Sequence, residues 1–149
     1  MDLTRDNSTG IDLLWHDRDG KKTAVMRGTA AVYYNGSAGS EYNLWGNVYE
    51  RIAEGAFDDA LQGSVFCRIN HDRNRSLART PKTLRLWSDK NGLHFEAALG
   101  NTSTANDAIE LVSREEITGC SVQFACDLKN PDNVQWLKEG DREICLIRK

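Results

Sequence analysis

No stretch of the 149 residues approaches the roughly 18 consecutive apolar residues that a membrane-spanning helix requires. The opening string, Met1-Asp2-Leu3-Thr4-Arg5-Asp6, lacks the basic and then apolar order of a secretory leader. Both absences set the expectation of a soluble intracellular protein with no membrane partner. An excess of charge of one sign is missing too: 19 Lys and Arg stand against 22 Asp and Glu, a net charge of -3. A phosphate-binding surface needs clustered cations, and the one basic cluster, Arg68 to Arg85, is interrupted by Asp72 and apolar residues. Nucleic acid is therefore not expected as a partner. The four cysteines, Cys67, Cys120, Cys126 and Cys145, form no CxxC pair, and the three histidines do not cluster with them. No metal or cofactor is implied. Cys67 and Cys145 sit in apolar, strand-like contexts where a reduced thiol acts as a small hydrophobe. With no repeat, low-complexity tract or linker, residues 1–149 read as one domain, long enough to bury a core.

What is present is mainly β patterning. Thr23 to Tyr34 is rich in Val, Tyr and small residues, with Gly28 in mid-run, and predicts a strand with a bulge or close backbone approach at that glycine. Asn35 to Ser40 is a loop by composition, and Tyr49 to Ile52 a short strand. Phe57, Ala60 and Leu61 fall at i, i+3, i+4, which predicts one or two helical turns ending near Gly63. Ser64 to Asn70 reads as a buried strand that delivers Asn70 and His71 to an edge. Leu84–Trp87 and Leu93–Ala97 alternate with period two around Ser88-Asp89-Lys90-Asn91-Gly92, a hairpin signature. Thr104 to Arg114 is the clearest helix, with Ala105, Ala108, Ile109 and Val112 on one face. Ile117 to Cys126 follows as a strand, and the tail holds a turn at Glu139-Gly140-Asp141 before a strand from Arg142. The fold class is mostly β with a few helices, an α+β arrangement.

Three residues invite a chemical reading. His71 closes an apolar strand and opens a polar segment, a position from which a rigid scaffold can present a base. His16 is expected on the surface, and His94 to face away from its neighbours Leu93 and Phe95. Ser121 follows Thr118-Gly119-Cys120, and a glycine two positions earlier can let a substrate backbone approach or free an N–H for an oxyanion. The string is not G-x-S-x-G, so a nucleophile elbow is a poor match. Cys120 is a rival nucleophile, although in a regular strand it and Ser121 face opposite sides.

The order of several short segments resembles the phage prohead maturation protease family, the group that includes the HK97-type proteases. The matching residues are Gly28-Thr29-Ala30-Ala31-Val32-Tyr33, Glu54-Gly55-Ala56-Phe57, Asn70-His71-Asp72-Arg73-Asn74 and Leu77-Ala78-Arg79-Thr80. Asn91-Gly92-Leu93, Phe95-Glu96-Ala97 and Ile117-Thr118-Gly119-Cys120-Ser121-Val122-Gln123-Phe124 complete the series, over roughly residues 24 to 126. The resemblance implies a serine endopeptidase with a small closed or partly open β-barrel surrounded by helices, as in the herpesvirus assemblins. It implies Ser121 as nucleophile, His71 as general base and Glu116 as the acidic residue that orients His71; the residues alone also allow Glu116 to be a solvated carboxylate at a helix end. Asp72, adjacent to His71, is expected to point elsewhere.

The substrates implied are the scaffold region of the major capsid protein and the protease itself, cut in the bacterial cytoplasm inside the assembling prohead. Self-association as a homodimer or higher oligomer is implied as well. The pattern departs from the family at Cys120 and Gln123, where Met and a second Gly usually stand, and Gln123 is expected to narrow the cleft. The family typically continues with another acidic strand, whereas this chain stops at Arg148-Lys149. That shortness favours an alternative reading, a catalytically silent relative that binds capsid protein without cutting it.

Overall fold

A computed structural model describes residues 2–7 and 10–149, with side chains from residue 10 onward except at position 18. The side chains of the opening string, read above for a leader, lie outside that description. Twelve strands and one α-helix make up the described chain. The largest unit is an antiparallel sheet in the order β2-β3-β9-β8, built from β2 (Asp12–Arg18), β3 (Lys21–Val32), β9 (Gly92–Ala98) and β8 (Leu84–Ser88). A second four-stranded sheet runs β11-β12-β5-β4: β11 (Val134–Glu139), β12 (Arg142–Ile147), β5 (Val48–Ile52) and β4 (Glu41–Trp45). Two ribbons complete the set: β1 (Asp2–Asn7) with β10 (Cys120–Ala125), and β6 (Phe66–Arg68) with β7 (Ser76–Arg79).

The β8–β9 hairpin forms where the alternation predicts it. Leu93, Phe95 and Ala97 are buried, while His94 is half-buried on the other face. Asp89 closes the turn by accepting from the backbone N–H groups of Asn91 and Gly92. In β3 both alternatives predicted for Gly28 occur, at different residues. The register slips between Thr29 and Ala31, and a Cβ at Gly28 would stand 3.0 Å from the Phe95 ring.

The helix α1 (Ser103–Ser113) begins at Thr102, whose hydroxyl accepts from the Ala105 N–H, a cap that contributes about 1 kcal/mol. Ala105, Ala108 and Val112 are buried against the sheets. The helix ends in a Schellman closure, with Glu115 N–H donating to Val112 O and Glu116 N–H to Leu111 O. Glu115 takes the left-handed conformation, φ +58°, that glycine usually supplies there.

Two expectations are corrected. The one or two helical turns expected around Phe57–Leu61 are turns with a three-residue 3-10 segment, Ala60–Gln62, that ends at Gly63 as expected but is not α-helical. One turn bounded by Gly55 and Gly63 cannot repay the cost of helix nucleation. Among the described residues there is therefore one α-helix rather than a surround of helices. Among the described residues the sheets do not close into a barrel; they stand as two four-stranded sheets and two ribbons, a partly open β fold.

Candidate active site

The chain enters the site along β6 and turns sharply. Ile69–His71 is a 3-10 segment rather than the end of a strand, and Asn70 (φ +50°, ψ +35°) and His71 (φ +57°) are both left-handed. Consecutive non-glycine residues in this region are uncommon and cost on the order of 1–3 kcal/mol each, so surrounding contacts must hold them. Those contacts are visible. Ile69 is buried in the core, its N–H donates to Arg75 O, Asp72 N–H donates to Ile69 O, and Arg75 N–H to Asp72 O. The Asp72 carboxylate accepts from Asn74 N–H at 2.8 Å, so it serves the loop and points elsewhere, as expected. Arg75 reaches Asp107 on α1 at 3.5 Å and ties the loop to the helix.

Ser121 arrives from the opposite direction, near the start of β10. Cys120, Val122 and Phe124 pack against the core, and Phe124 meets Phe57 edge-on at 5.2 Å. Strand alternation then puts Ser121 on the other face of β10, and residues of both faces reach the cavity beside it. Across the ribbon Ser121 stands in register with Asp6. Ser121 Oγ and His71 Nε2 are 2.5 Å apart, both side chains half-buried, although 50 residues separate them in the chain. A serine hydroxyl that donates to an unprotonated imidazole nitrogen at this distance is positioned for activation as a nucleophile.

Glu116 is not brought to this pair. Its backbone belongs to the helix closure, and its carboxylate lies 2.6 Å from Arg114 Nη2 on an exposed surface. Among the described side chains, no carboxylate hydrogen-bonds His71. His16 is exposed on β2, a strand the composition did not announce. His94 lies between Thr29 Oγ1, 3.0 Å from its Nδ1, and Asp89 Oδ1, 2.9 Å from its Nε2, against the Trp87 ring. None of these groups lines the cavity described next.

That cavity, about 490 Å³, has Ser121 and His71 in its wall together with largely apolar neighbours such as Val65, Leu77, Leu86, Val112 and Phe124. Cys67 and Cys120 line it as well. Burial pushes the Cys67 thiol up to about 11. Burial, with a smaller contribution from Cys67, pushes Cys120 up to about 12. A thiol held so far above neutrality carries little thiolate and is a weak nucleophile at neutral pH. Sequence reasoning missed Arg68 on the same wall, whose Nε is buried without a hydrogen-bond partner. It also missed the left-handed pair at 70 and 71, for which Asn70 was the available signal, since Asn tolerates this region better than most residues.

The described residues contain no group of three or more His, Cys, Asp or Glu placed to hold a metal ion, and no described helix is long and apolar enough to cross a membrane. Compared with known proteins, the chain matches no curated protein and no solved structure. A family model described as caudovirus prohead serine protease does match, over residues 12–144. That span takes in β2 through the first half of β12 and both members of the Ser121–His71 pair, and the chain belongs to the caudovirus prohead serine protease family.

Proposed function

We propose that this chain is a serine endopeptidase of phage capsid maturation, cutting the scaffold region of the major capsid protein and its own chain. The observation that carries the reading is the 2.5 Å approach of Ser121 Oγ to His71 Nε2. In the proposed reaction His71 takes the Ser121 proton as Oγ attacks the scissile carbonyl, then returns it to the leaving amine. Water hydrolyses the acyl-enzyme by the same proton route in reverse. Backbone N–H groups near Ser121 would stabilise the oxyanion, with Gly119 leaving room for the substrate backbone. Glu116 would orient His71 only after release from Arg114. The reaction would take place in the host cytoplasm within the prohead, on a self-associated protease of partly open β architecture.

The absence of a described carboxylate on His71 favours a second reading, a relative that binds capsid protein and does not cut it. A time course of the purified chain with a matched capsid-protein scaffold segment separates the two. Cleavage by wild type that is reduced at least about 1,000-fold in both Ser121→Ala and His71→Ala supports the protease. Intact substrate at every protein concentration, with retained binding, supports the silent relative.

A further inference from the structure

The cavity beside Ser121 is partly open to solvent, and its lining is mostly apolar. Val65 and Leu77 come from the β6–β7 side, Leu86 from the large sheet, and Val112 from α1. At about 490 Å³ it falls within the range of pockets that engulf a ligand group. One cation breaks its apolar lining. Arg68 stacks its guanidinium on the Phe66 ring at 4.6 Å, and its buried Nε donates to nothing. Arg79 covers the same ring at 5.0 Å and donates to Ser64 Oγ. Among the described residues neither arginine is paired with a carboxylate, so positive charge stands uncompensated around an exposed aromatic ring at 41% exposure.

We propose that this chamber receives a bulky apolar side chain of the peptide being cut, and that Arg68 binds a carboxylate on the same peptide. The substrate class is thus a peptide with Leu- or Phe-like bulk at the scissile position and an acidic residue close by. The inference rests on the protease reading and deepens it. Burying a Leu or Phe side chain corresponds to about 10- to 100-fold in affinity or turnover. An unpaired buried donor discriminates further, because only a substrate that carries the acceptor satisfies it.

The test uses peptidyl phosphonate diphenyl esters, in which Ser121 Oγ bonds to phosphorus and phenol leaves, with Phe, Leu, Ala or Lys at the scissile position. Each is made with Glu or Gln in the preceding position. Inactivation should be about 10- to 100-fold faster for Phe and Leu than for Ala or Lys, and faster for Glu than for Gln. Arg68→Gln should erase the Glu preference and leave the Leu-to-Ala ratio unchanged, and Arg68→Lys should restore part of it. Val65→Trp should lower the Phe preference by filling the chamber. Wild-type rates for Ala or Lys equal to those for Leu would overturn the pocket, and an unchanged Glu-to-Gln ratio in Arg68→Gln would overturn the role of Arg68. If no probe labels Ser121, the protease reading fails. The pocket is then judged by the affinity of Ser121→Ala for the corresponding peptide amides, where equal binding of Leu and Lys peptides sinks it.

Discussion

Asn70 offers a test of whether backbone conformation sets the Ser121–His71 distance. Its side chain is exposed, lines the cavity and donates to and accepts from nothing described, so replacing it acts mainly through the cost of φ +50°, ψ +35°. A β-branched residue is a true outlier there, and the left-handed region costs an ordinary L-residue about 1–2 kcal/mol. Asn70→Val should therefore destabilise the fold by about 1–2 kcal/mol relative to Asn. Asn70→Gly relieves the steric cost but adds about 0.4–1 kcal/mol of unfolded-chain entropy, so its net effect should be close to zero. To the extent that the valine variant relaxes the turn, His71 moves away from Ser121 Oγ. A misplacement of about 1 Å is enough to cost about 100-fold in reactivity. Urea unfolding followed by tryptophan fluorescence reads the first quantity. The rate at which a fluorophosphonate labels Ser121 reads the second. Wild-type stability together with wild-type labelling in Asn70→Val would refute the argument that the left-handed pair positions the base.

A network of carboxylates and arginines in the second sheet predicts acid sensitivity. Burial alone would raise the Glu41 carboxyl, but hydrogen bonds from Arg142 and Arg51, with their charges, outweigh it and hold the group below its ordinary 4.5. Glu139 is held low chiefly by its hydrogen bonds to Arg51, at 2.7 and 2.8 Å. Groups with depressed folded values contribute stability that is complete above about 4.5 and is lost as pH falls through those lower values. Glu41→Gln should cost about 1–3 kcal/mol at pH 7 and lose less than wild type on going from pH 5 to pH 3; parallel losses in urea unfolding would count against the network. The two cavity thiols should be inert: at pH 8 iodoacetamide should modify Cys67 and Cys120 about 100-fold or more slowly than an ordinary free cysteine. Cys120→Ala should keep fluorophosphonate labelling of Ser121, and loss of labelling would return Cys120 to contention as nucleophile.

The features legible in the sequence were those written in local patterns. Period-two alternation around Asp89 and Gly92 announced the β8–β9 hairpin, because side chains of a strand alternate between core and solvent whatever the strand pairs with. The apolar face at Ala105, Ala108 and Val112 announced α1 to within one residue at each end. The strand β2 escaped because Leu13-Leu14-Trp15 breaks alternation, and β4 because it is a short, half-buried strand at a sheet edge. His71 and Ser121 were singled out individually, as a histidine at a strand end and a serine after glycine, with the resemblance supplying their pairing.

Other features belong to the tertiary structure alone. The parallel pairing of β5 with β12 joins Val48 to Glu143, a contact no local periodicity encodes. The 2.5 Å approach of His71 to Ser121 depends on a turn in which two residues take a conformation they disfavour in isolation, held by Ile69 in the core and by the Arg75 carbonyl. Glu116 looked close to Ser121 by sequence number, yet the helix closure at Glu115 directs it to Arg114. Sequence proximity sets which residues are tethered, whereas packing over long separations sets which of them meet. The candidate residues were therefore nameable from the sequence, and their approach to one another was decided only when the sheets assembled.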